Sequence, residues 1–501
     1  MSLLGIDVGT TGCKAGAVDS DGRLLALAYR EYEILHQQPG WAEFDSREVW
    51  NKIKEVIAEV ARATKHDPIV ALSMTSCGEA MTPVSSDRRI LGNCILGHDL
   101  RGEEYVTALG RRPGRERLHE LNGNVLGLSY GAPKIEWMRD HRGDLFRQAD
   151  KLLLWGGLVG YLLGGEATAD LSLANRTLWL DLHAEQWSDE LLAATGMPRD
   201  KLPRLVTSDA MIGVVRDGVA DELGLPHGVK IVAGGHDQCC TALGAGVVRN
   251  GQAVYGMGTF ICVTPVYDNP PASRVMLENG LNIEHHVVRG LYASFLFNLS
   301  GGALLRWARD TLAAKDKAEA LAQGRDVYDL LLAEMPDSPT GLMVLPHFAQ
   351  CGPPTFDSDS KGVILGLTLE TTRGELIKGL LEGMTYYFKE GLDLIAQAGI
   401  PIHEFRATGG GAKGDAWLQI TADILGQPIG RLEVSECGVL GAAILAGVGA
   451  GVFSSAAETA ERWVRVSRMF EPSPARHGAY QDRMGRFKVL YPMLKDYLHA
   501  M

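Results

Sequence analysis

The first thirty residues alternate short apolar runs with turn residues. Residues 3–8 are mostly apolar, residues 9–12 read Gly-Thr-Thr-Gly, and residues 14–18 are again mostly apolar. A second turn, Asp-Ser-Asp-Gly at 19–22, precedes another run at 23–30. Glycine-containing turns between β-prone runs are typical of hairpins. The pattern predicts an antiparallel meander of three strands.

Farther along, the apolar positions take up a helical period. Residues 49–63 place Val49, Ile53 and Val60 at helical spacing, and residues 69–74 form another apolar run. Alternation of strands and helices indicates helices layered on a sheet. We therefore predict an α/β fold.

The opening pattern recurs in the middle of the chain. Residues 253–263 again consist of an apolar run, a Gly-Met-Gly-Thr turn and a second apolar run, and Thr10 and Thr259 are 249 positions apart in a chain of 501. This spacing indicates a duplicated domain. The glycine-rich connector at 245–251 is the predicted boundary, and we expect the two halves to face each other across a ligand-binding cleft.

Composition excludes several classes of protein. With 46% apolar and 22% charged residues the chain is neither disordered nor fibrous. A net charge of −12 disfavours binding to nucleic acid or to an anionic membrane surface. Eight cysteines without a Cys-x-x-Cys pair predict reduced thiols. Asp7 interrupts the N-terminal apolar run, and the uncharged stretch 437–457 is mostly glycine and alanine, so we expect no signal peptide, no membrane span and a cytoplasmic location.

Two turns could bind phosphate. Asp7 ends an apolar run just before the turn at 9–11, and Lys14 follows that turn. Backbone N–H groups and hydroxyls of a Gly-Thr turn can donate to phosphate oxygens, although an aspartate in this position can also simply cap the turn. The turn at 256–259 offers a second cradle, and two cradles facing one cleft suit a polyphosphate.

Asp237 is a candidate general base. It follows the apolar run 230–233 and two glycines, and it precedes a predicted helix that begins at about Cys239. A carboxylate at the open end of a strand can accept a proton from a substrate hydroxyl. The structural alternative is a helix N-cap. His236 is as easily structural as catalytic.

A glycine-rich turn after residues 405–408 leaves two functions open. Such a turn before a helix binds phosphate or lets a nucleotide lie against the backbone. Gly409, Gly411 and Gly414 also match the Gly-x-Gly-x-x-Gly fingerprint of dinucleotide-binding proteins, with Glu433 after a further strand-like run. An NAD-dependent dehydrogenase is therefore an alternative to a nucleotide-dependent kinase.

Polar residues that could bind a polyhydroxylated substrate follow two other apolar segments. Glu79 ends one of these segments, and Asp99 and Arg101 follow the other. Carboxylates and a guanidinium can hold sugar hydroxyls through several hydrogen bonds. A surface ion pair between Asp99 and Arg101 is the structural alternative.

Taken together, these segments resemble the FGGY family of carbohydrate kinases over nearly the whole chain. The resemblance rests on ordered motifs at compatible spacing: Gly5-Ile6-Asp7-Val8-Gly9-Thr10-Thr11, Asp170-Leu171-Ser172 with Ala174-Asn175, Gly234-Gly235-His236-Asp237, Gly256-Met257-Gly258-Thr259, Gly301-Gly302, Gly362 to Gly366, Gly409-Gly410-Gly411-Ala412, and Leu440-Gly441-Ala442-Ala443.

The resemblance implies a fold and a reaction. It implies two ribonuclease H-like, actin-like ATPase domains with mixed sheets flanked by helices. Residues 1–246 would bind the sugar and carry the base, residues 251–455 would bind ATP, and residues 456–501 would form a helical extension. The reaction would be Mg²⁺- and ATP-dependent phosphorylation of a sugar or polyol, and a homodimer is a family expectation. A non-catalytic sugar or nucleotide binder on the same scaffold is a further alternative.

The resemblance also implies roles for individual residues. Asp237 would be the catalytic base and would contact the acceptor, and Asp7 would lie near the phosphates and the metal. The residues implied for the nucleotide are Thr10, Thr11, Lys14, Gly258, Thr259, Gly301, Gly302, Gly410, Gly411, Ala412 and Asp415. Those implied for the acceptor pocket are Glu79, Asp99 and Arg101.

Departures from the family pattern leave the acceptor open. Cys77-Gly78-Glu79 replaces the Gln-Met-His typical of xylulose kinases, and Gly97 stands where many relatives carry tryptophan. Phe260 follows the Gly-Thr pair where serine is common. Kinase activity tolerates such changes, so xylulose is only the default expectation.

Overall fold

The N-terminal apolar run forms an inner strand of a mixed sheet. The computed structural model describes residues 1–349, 351–357 and 359–501. Strands β1 (Ser2–Val8), β2 (Gly12–Val18) and β3 (Leu24–Glu31) are antiparallel neighbours. The predicted three-strand meander is therefore confirmed.

The other strands of the first half are β4 (Ile34–Leu35), β5 (Glu43–Phe44), β6 (Ile69–Ser76), β7 (Met81–Val84), β8 (Cys94–Ile95), β9 (Lys151–Leu154), β10 (Thr168–Asp170), β11 (Leu180–Asp181), β12 (Gln186–Trp187), β13 (Arg204–Val206), β14 (Met211–Val214) and β15 (Lys230–His236). Its helices are α1 (Ser46–Ala63), α2 (Glu103–Leu109), α3 (Arg115–Asn122), α4 (Gly131–His141), α5 (Gly143–Gln148), α6 (Trp155–Leu163), α7 (Leu171–Asn175), α8 (Asp189–Thr195), α9 (Asp217–Leu223) and α10 (Asp237–Gly244).

The predicted helix at 49–63 is α1, and it begins three residues earlier. The Asp45 carboxylate accepts hydrogen bonds from the backbone N–H groups of Arg47 and Glu48, which caps the helix before its apolar face begins. Val49, Ile53 and the other apolar positions of that face are buried. The helical period of the sequence thus places the buried face of α1 correctly.

The strands of the second half are β16 (Gln252–Met257), β17 (Ile261–Tyr267), β18 (Glu284–His285), β19 (Tyr292–Ala293), β20 (Leu296–Asn298), β21 (Met343–Leu345), β22 (Val363–Leu365), β23 (Glu404–Thr408), β24 (Ile429–Leu432) and β25 (Val466–Phe470). Its helices are α11 (Ser273–Glu278), α12 (Gly301–Leu312), α13 (Ala314–Gln323), α14 (Val327–Ala333), α15 (Arg373–Gln397), α16 (Asp415–Leu425), α17 (Cys437–Gly449), α18 (Ala456–Trp463) and α19 (Pro474–His499).

The two halves have sheets with the same strand order. The first sheet runs β14-β15-β6-β1-β2-β3, and the second runs β18-β19-β17-β16-β23-β24-β25 with β20 beside β17. In each sheet an antiparallel hairpin (β1-β2 or β16-β17) is followed by two parallel strands and an antiparallel edge strand. The predicted duplication and the mixed sheets flanked by helices are confirmed.

Helices α10 and α17 cross between the two sheets at a very short distance. A Cβ placed on Gly441 of α17 would lie 2.0 Å from the carbonyl oxygen of Cys240, and one on Gly244 of α10 would lie 1.9 Å from that of Cys437. A Cβ on Gly5 of β1 would likewise lie 2.0 Å from the carbonyl oxygen of Val439. Only glycine fits at these three positions. The glycine-rich segment therefore lets α17, a helix of the second half, pack on the sheet of the first half.

The structure differs from the predicted helical extension at 456–501. This segment contains α18 and α19, but between them β25 pairs antiparallel with β24 and completes the edge of the second sheet. Phe470 at the end of β25 and Tyr480 and Phe487 of α19 join the core of the second half. The extension is therefore part of the second core.

Two expectations about the chain as a whole can be compared with the structure. All eight cysteines are free thiols. Among the described residues, no helix combines the length and the apolar character that crossing a bilayer requires.

Candidate active site

Asp7 and Asp237 lie at the carboxyl ends of parallel strands in one sheet. Strands β1 and β15 both run parallel to β6, and Asp7 and Gly235 are each paired with Thr75. Neighbouring strands are about 4.8 Å apart, so the two backbones are about 10 Å apart at this level. Two carboxylates separated by 230 positions in the sequence thus lie at the same edge of the sheet.

The surroundings of Asp237 make it a base suited to neutral pH. Burial raises the pKa of Asp237 to about 7, and the negative charges of Asp7 and Glu79 add to the rise. The side chain is still 28% exposed. A carboxylate with a pKa near the working pH is an efficient proton acceptor.

The helix-capping alternative for Asp237 is wrong. Helix α10 begins at Asp237, two residues earlier than predicted, and the cap position is His236, whose side chain makes no capping hydrogen bond. His236 Nε2 lies 3.4 Å from Asp237 Oδ1. Burial and the nearby Arg176 hold the pKa of His236 well below its ordinary value, so the imidazole is neutral.

The Asp170-Leu171-Ser172 motif fixes the backbone next to Asp237. The hydroxyl of Ser172 accepts a hydrogen bond from the backbone N–H of His236 at 2.9 Å. That hydroxyl donates to Asp170 Oδ2 at 2.6 Å, and the Ser208 hydroxyl donates to the same oxygen at 2.8 Å. All of these groups are buried. The motif positions the end of β15 and does not face the cleft.

Asp7 lies between a lysine and the start of α17. Burial raises the pKa of Asp7 to about 6, a rise that Lys14 opposes and Glu436 favours. Lys14 Nζ lies 2.7 Å from Glu436 Oε2, so its charge is already balanced by a carboxylate. A Cβ on Gly438 would lie 3.2 Å from Asp7 Oδ2, which shows how closely α17 approaches the carboxylate. The role of Lys14 at phosphate stays a prediction.

Thr10 and Thr11 lie in the turn that joins β1 to β2, next to Asp7. The turn is closed by a hydrogen bond of 3.0 Å from the backbone N–H of Gly9 to the carbonyl of Gly12. Thr11 is exposed and Thr10 is partly exposed. Their hydroxyls are therefore available to a ligand at this edge of the sheet.

Most of the predicted nucleotide residues of the second half line one cavity of about 320 Å³. We call it the nucleotide cavity; its predicted lining residues are Gly258, Thr259, Gly302, Gly410 and Gly411. Leu332 and Trp417 form an apolar part of the wall. Gly301 has a positive φ beside this turn, and a Cβ on Gly302 would lie 2.5 Å from the carbonyl oxygen of Gly258. The glycines bring α12 directly against the Gly258-Thr259 turn.

Three predicted nucleotide residues of the second half, Gly301, Ala412 and Asp415, are not part of the lining of this cavity. Ala412 is buried in the 3₁₀ turn Gly410–Lys413. Asp415 begins α16 and forms ion pairs with Arg431, at 2.5 Å, and with Arg468. Direct contact of any of these three residues with a nucleotide stays a prediction.

Glu79 belongs to a partly buried charge cluster that joins the two halves. Arg176 Nε donates to Glu79 Oε1 at 2.7 Å, and Arg176 Nη1 donates to Glu284 Oε1 of the second half at 2.5 Å. The guanidinium also lies over the ring of Tyr130 at 4.7 Å. Sequence analysis did not identify Arg176 or Glu284, because pairs 97 and 108 positions apart have no local pattern. The one usable signal was that Arg176 directly follows the Ala174-Asn175 motif.

Asp99 and Arg101 form a buried network. Arg101 Nη2 lies 2.6 Å from Asp99 Oδ2 and Nη1 lies 2.7 Å from Glu43 Oε1. The guanidinium lies 3.9 Å from the ring of Trp41, and Asp99 and Arg101 are 0% and 6% exposed. The proposed ion pair exists, but it is not on the surface. A Cβ on the neighbouring Gly97 would lie 3.2 Å from Glu79 Oε2, so this network supports the loop beside Glu79.

A second cavity, of about 560 Å³, opens beside Asp237. His236 and Gln238, on either side of Asp237, line it together with Arg176 and Tyr130. We call it the acceptor cavity. The cavity is therefore lined by the residues on both sides of the candidate base in the sequence.

Comparison with known proteins identifies the family. The family model for the FGGY family of carbohydrate kinases, N-terminal domain, matches residues 2–244, and that for the C-terminal domain matches residues 253–450. A xylulose kinase of Bacillus subtilis is 27% identical over 99% of this chain and 97% of its own length. A glycerol kinase of Bordetella parapertussis is 33% identical over the same shares of the two chains.

A solved structure agrees with these matches. The crystal structure of xylulose kinase from Rhodospirillum rubrum superposes with a TM-score of 0.89 at 27% identity and covers 100% of both chains. These findings support neither a dehydrogenase nor a non-catalytic binder. The chain belongs to the FGGY family of carbohydrate kinases and is an ATP-dependent enzyme of that family.

Proposed function

We propose that this kinase transfers the γ-phosphate of Mg²⁺-bound ATP to a hydroxyl of a ketopentose or a related open-chain sugar or polyol. Xylulose is the first acceptor to test. The observation that carries the proposal is the position of Asp7 and Asp237 at one edge of the first sheet, with the acceptor cavity opening beside Asp237. The cytoplasm is the proposed location.

Asp237 is the proposed base of the transfer. Its ionised carboxylate accepts the proton of the acceptor hydroxyl as the oxygen bonds to the γ-phosphorus, and the bond to the bridging oxygen of ADP breaks. The backbone N–H groups of the Gly258-Thr259 turn and the hydroxyls of Thr10 and Thr11 would donate to the phosphate oxygens. Residues 1–246 would thus supply the base and the acceptor site, and residues 251–455 the nucleotide site.

Asp7 is the residue that would hold Mg²⁺. No group of three or more histidine, cysteine or acidic side chains suited to a metal occurs in the described parts of the chain. Mg²⁺ at phosphate sites requires only one or two carboxylates, with water and phosphate oxygens as the other ligands. Asp7 fits this role because Lys14, the nearest cation, is paired with Glu436. The bound ion would neutralise charge on the transferred phosphoryl group.

Glu79 and Arg176 are the proposed polar contacts of the acceptor. Glu79 Oε1 already accepts a hydrogen bond from Arg176. Glu79 Oε2 faces the loop at Gly97 and can accept a hydrogen bond from a sugar hydroxyl. Asp99 and Arg101, assigned to the acceptor by resemblance, would act through the position of that loop.

An ATP-coupled screen tests the proposal. Purified protein with Mg²⁺ and ATP is expected to release ADP with at least one of the pentuloses, hexuloses, glycerol or tetritols, and product analysis would locate the phosphate. The same reaction without acceptor gives the background ATPase rate. If no acceptor raises ADP release above that background, the proposal fails.

The pH dependence of kcat/KM reports the state of Asp237. Because burial and the neighbouring carboxylates raise the pKa of Asp237 to about 7, its base form is lost as the pH falls below 7. We expect kcat/KM for the acceptor to rise with pH up to about 8 and to fall about 10-fold for each pH unit well below the pKa. Initial rates between pH 5.5 and 9, at saturating Mg²⁺ and ATP, measure the profile. A flat profile between pH 6 and 8 would contradict it.

A further inference from the structure

The acceptor cavity continues beyond the polar groups near Asp237. From His236 and Gln238 it extends to Arg115, the first residue of α3. Its volume of about 560 Å³ falls within the range of pockets that enclose a drug-sized ligand. A small neutral polyol would occupy only part of it.

Arg115 faces this cavity without a carboxylate partner. Arg111, Arg112 and Arg115 form a short basic run, and none of them makes an ion pair within the described part of the chain. The neighbouring Arg117 behaves differently, because it donates to Glu190 and Glu120 at 2.8 Å each. Although acidic residues outnumber basic ones in this protein, none of them forms an ion pair with Arg115 in the described part of the chain. Its positive charge is therefore available to a ligand in the cavity.

Another part of the cavity wall suits a carbon chain. Phe260, Phe297 and Phe356 line the cavity, and Phe260 and Phe356 are 52% and 48% exposed. Aromatic faces pack well against the C–H groups of a sugar chain. Because this wall is apolar, it can contact the C–H groups of an acceptor but cannot form hydrogen bonds with its hydroxyl groups.

We propose that the acceptor carries a carboxylate which binds Arg115, so that the preferred substrate is a sugar acid of the aldonate class. This inference rests on the proposed function, because the reacting hydroxyl must still lie at Asp237. Arginine holds a carboxylate through two parallel hydrogen bonds, which makes it more selective than lysine for this group. The phosphoryl transfer itself is unchanged: the hydroxyl oxygen bonds to the γ-phosphorus, ADP leaves, and Asp237 takes the proton.

Matched pairs of acceptors test the inference. Initial rates are compared for erythronate and erythritol, xylonate and xylitol, and gluconate and glucitol, which differ at one end of the chain only, with xylulose as a further neutral acceptor. We expect kcat/KM for the best acid to exceed that of its alditol at least about 10-fold, as charge-assisted hydrogen bonds to one arginine allow.

Variants of Arg115 test whether this residue causes the preference for acids over alditols. Arg115→Gln is expected to reduce the ratio of acid to alditol to less than about 3-fold, and Arg115→Lys to keep an intermediate ratio. Arg117→Gln is the matched control, since Arg117 does not line the cavity, and it should keep the full ratio. The KM for ATP, measured in parallel, separates this role from contact with the nucleotide.

The outcomes separate this inference from the proposed function. Turnover of xylulose or an alditol with no preference for any acid, or a preference that survives Arg115→Gln, overturns the inference and leaves the kinase assignment standing. A rise in the KM for ATP equal to the loss of acid turnover would also overturn it. The absence of turnover with every acceptor would overturn both.

Discussion

Replacing Asp237 by asparagine is expected to lower kcat at least about 10³-fold while ATP still binds, because the amide cannot accept the proton of the hydroxyl. The variant keeps the size of the side chain, and Asp237 does not line the nucleotide cavity. Coupled ADP release measures the activity, and titration calorimetry with ATP measures the binding. Turnover within 10-fold of the unmodified enzyme would remove Asp237 from the mechanism.

The same substitution should stabilise the fold at high pH. Folding raises the pKa of Asp237 above its ordinary value of 3.8 to about 7, so the ionised form is less favourable in the folded chain. This penalty is complete above pH 7 and disappears as the pH falls towards 4. We expect Asp237→Asn to raise the free energy of unfolding by as much as about 4 kcal/mol at pH 8 and by about 1 kcal/mol at pH 4.5. Equal stability of the two proteins at pH 8 would mean that the carboxylate is better solvated than its burial indicates.

Local patterns predict most of the strands and helices, because periodicity and turn residues act over a few positions. The hairpins β1-β2 and β16-β17 and helix α1 follow from such patterns. The start of α10 was predicted two residues late because the polar pair His236-Asp237 looks like a loop. Strand β25 was missed because its partner, β24, lies more than 30 positions earlier and only Phe470 is buried.

The site could be predicted only in part. Residues with a local sequence pattern are predicted, whereas ion pairs between residues far apart in the chain are not. Glycine turns and the aspartates at strand ends have local signatures, and the structure brings Asp7 and Asp237 together at one edge. The ion pairs of Lys14 with Glu436 and of Arg176 with Glu284 join residues 422 and 108 positions apart. No local sequence pattern around Lys14 or Arg176 indicates which residue is its partner. For this reason the sequence predicts Lys14 as a cation near phosphate without its partner Glu436, and it does not identify Arg176.

Gly441→Ala is expected to lower the free energy of unfolding by about 3 kcal/mol, because one methyl group forces apart two helices that touch through their backbones. The new Cβ would lie 2.0 Å from the carbonyl oxygen of Cys240, so α10 and α17 must separate. Asp237 lies one turn before Cys240 at the start of α10, and kcat should therefore fall together with stability. Urea unfolding and initial rates measure the two effects.

Gly485→Ala provides the opposite result for the same chemical change. Gly485 lies in α19, and a Cβ there would have no atom within 4 Å. Alanine is a better helix former than glycine by about 1 kcal/mol, so this variant should be slightly more stable than the unmodified enzyme and equally active. If Gly441→Ala were instead as stable and active as Gly485→Ala, the close crossing of α10 and α17 could not be what holds Asp237 in position. The opposite signs expected for one substitution in two helices isolate the contribution of backbone contact from that of helix propensity.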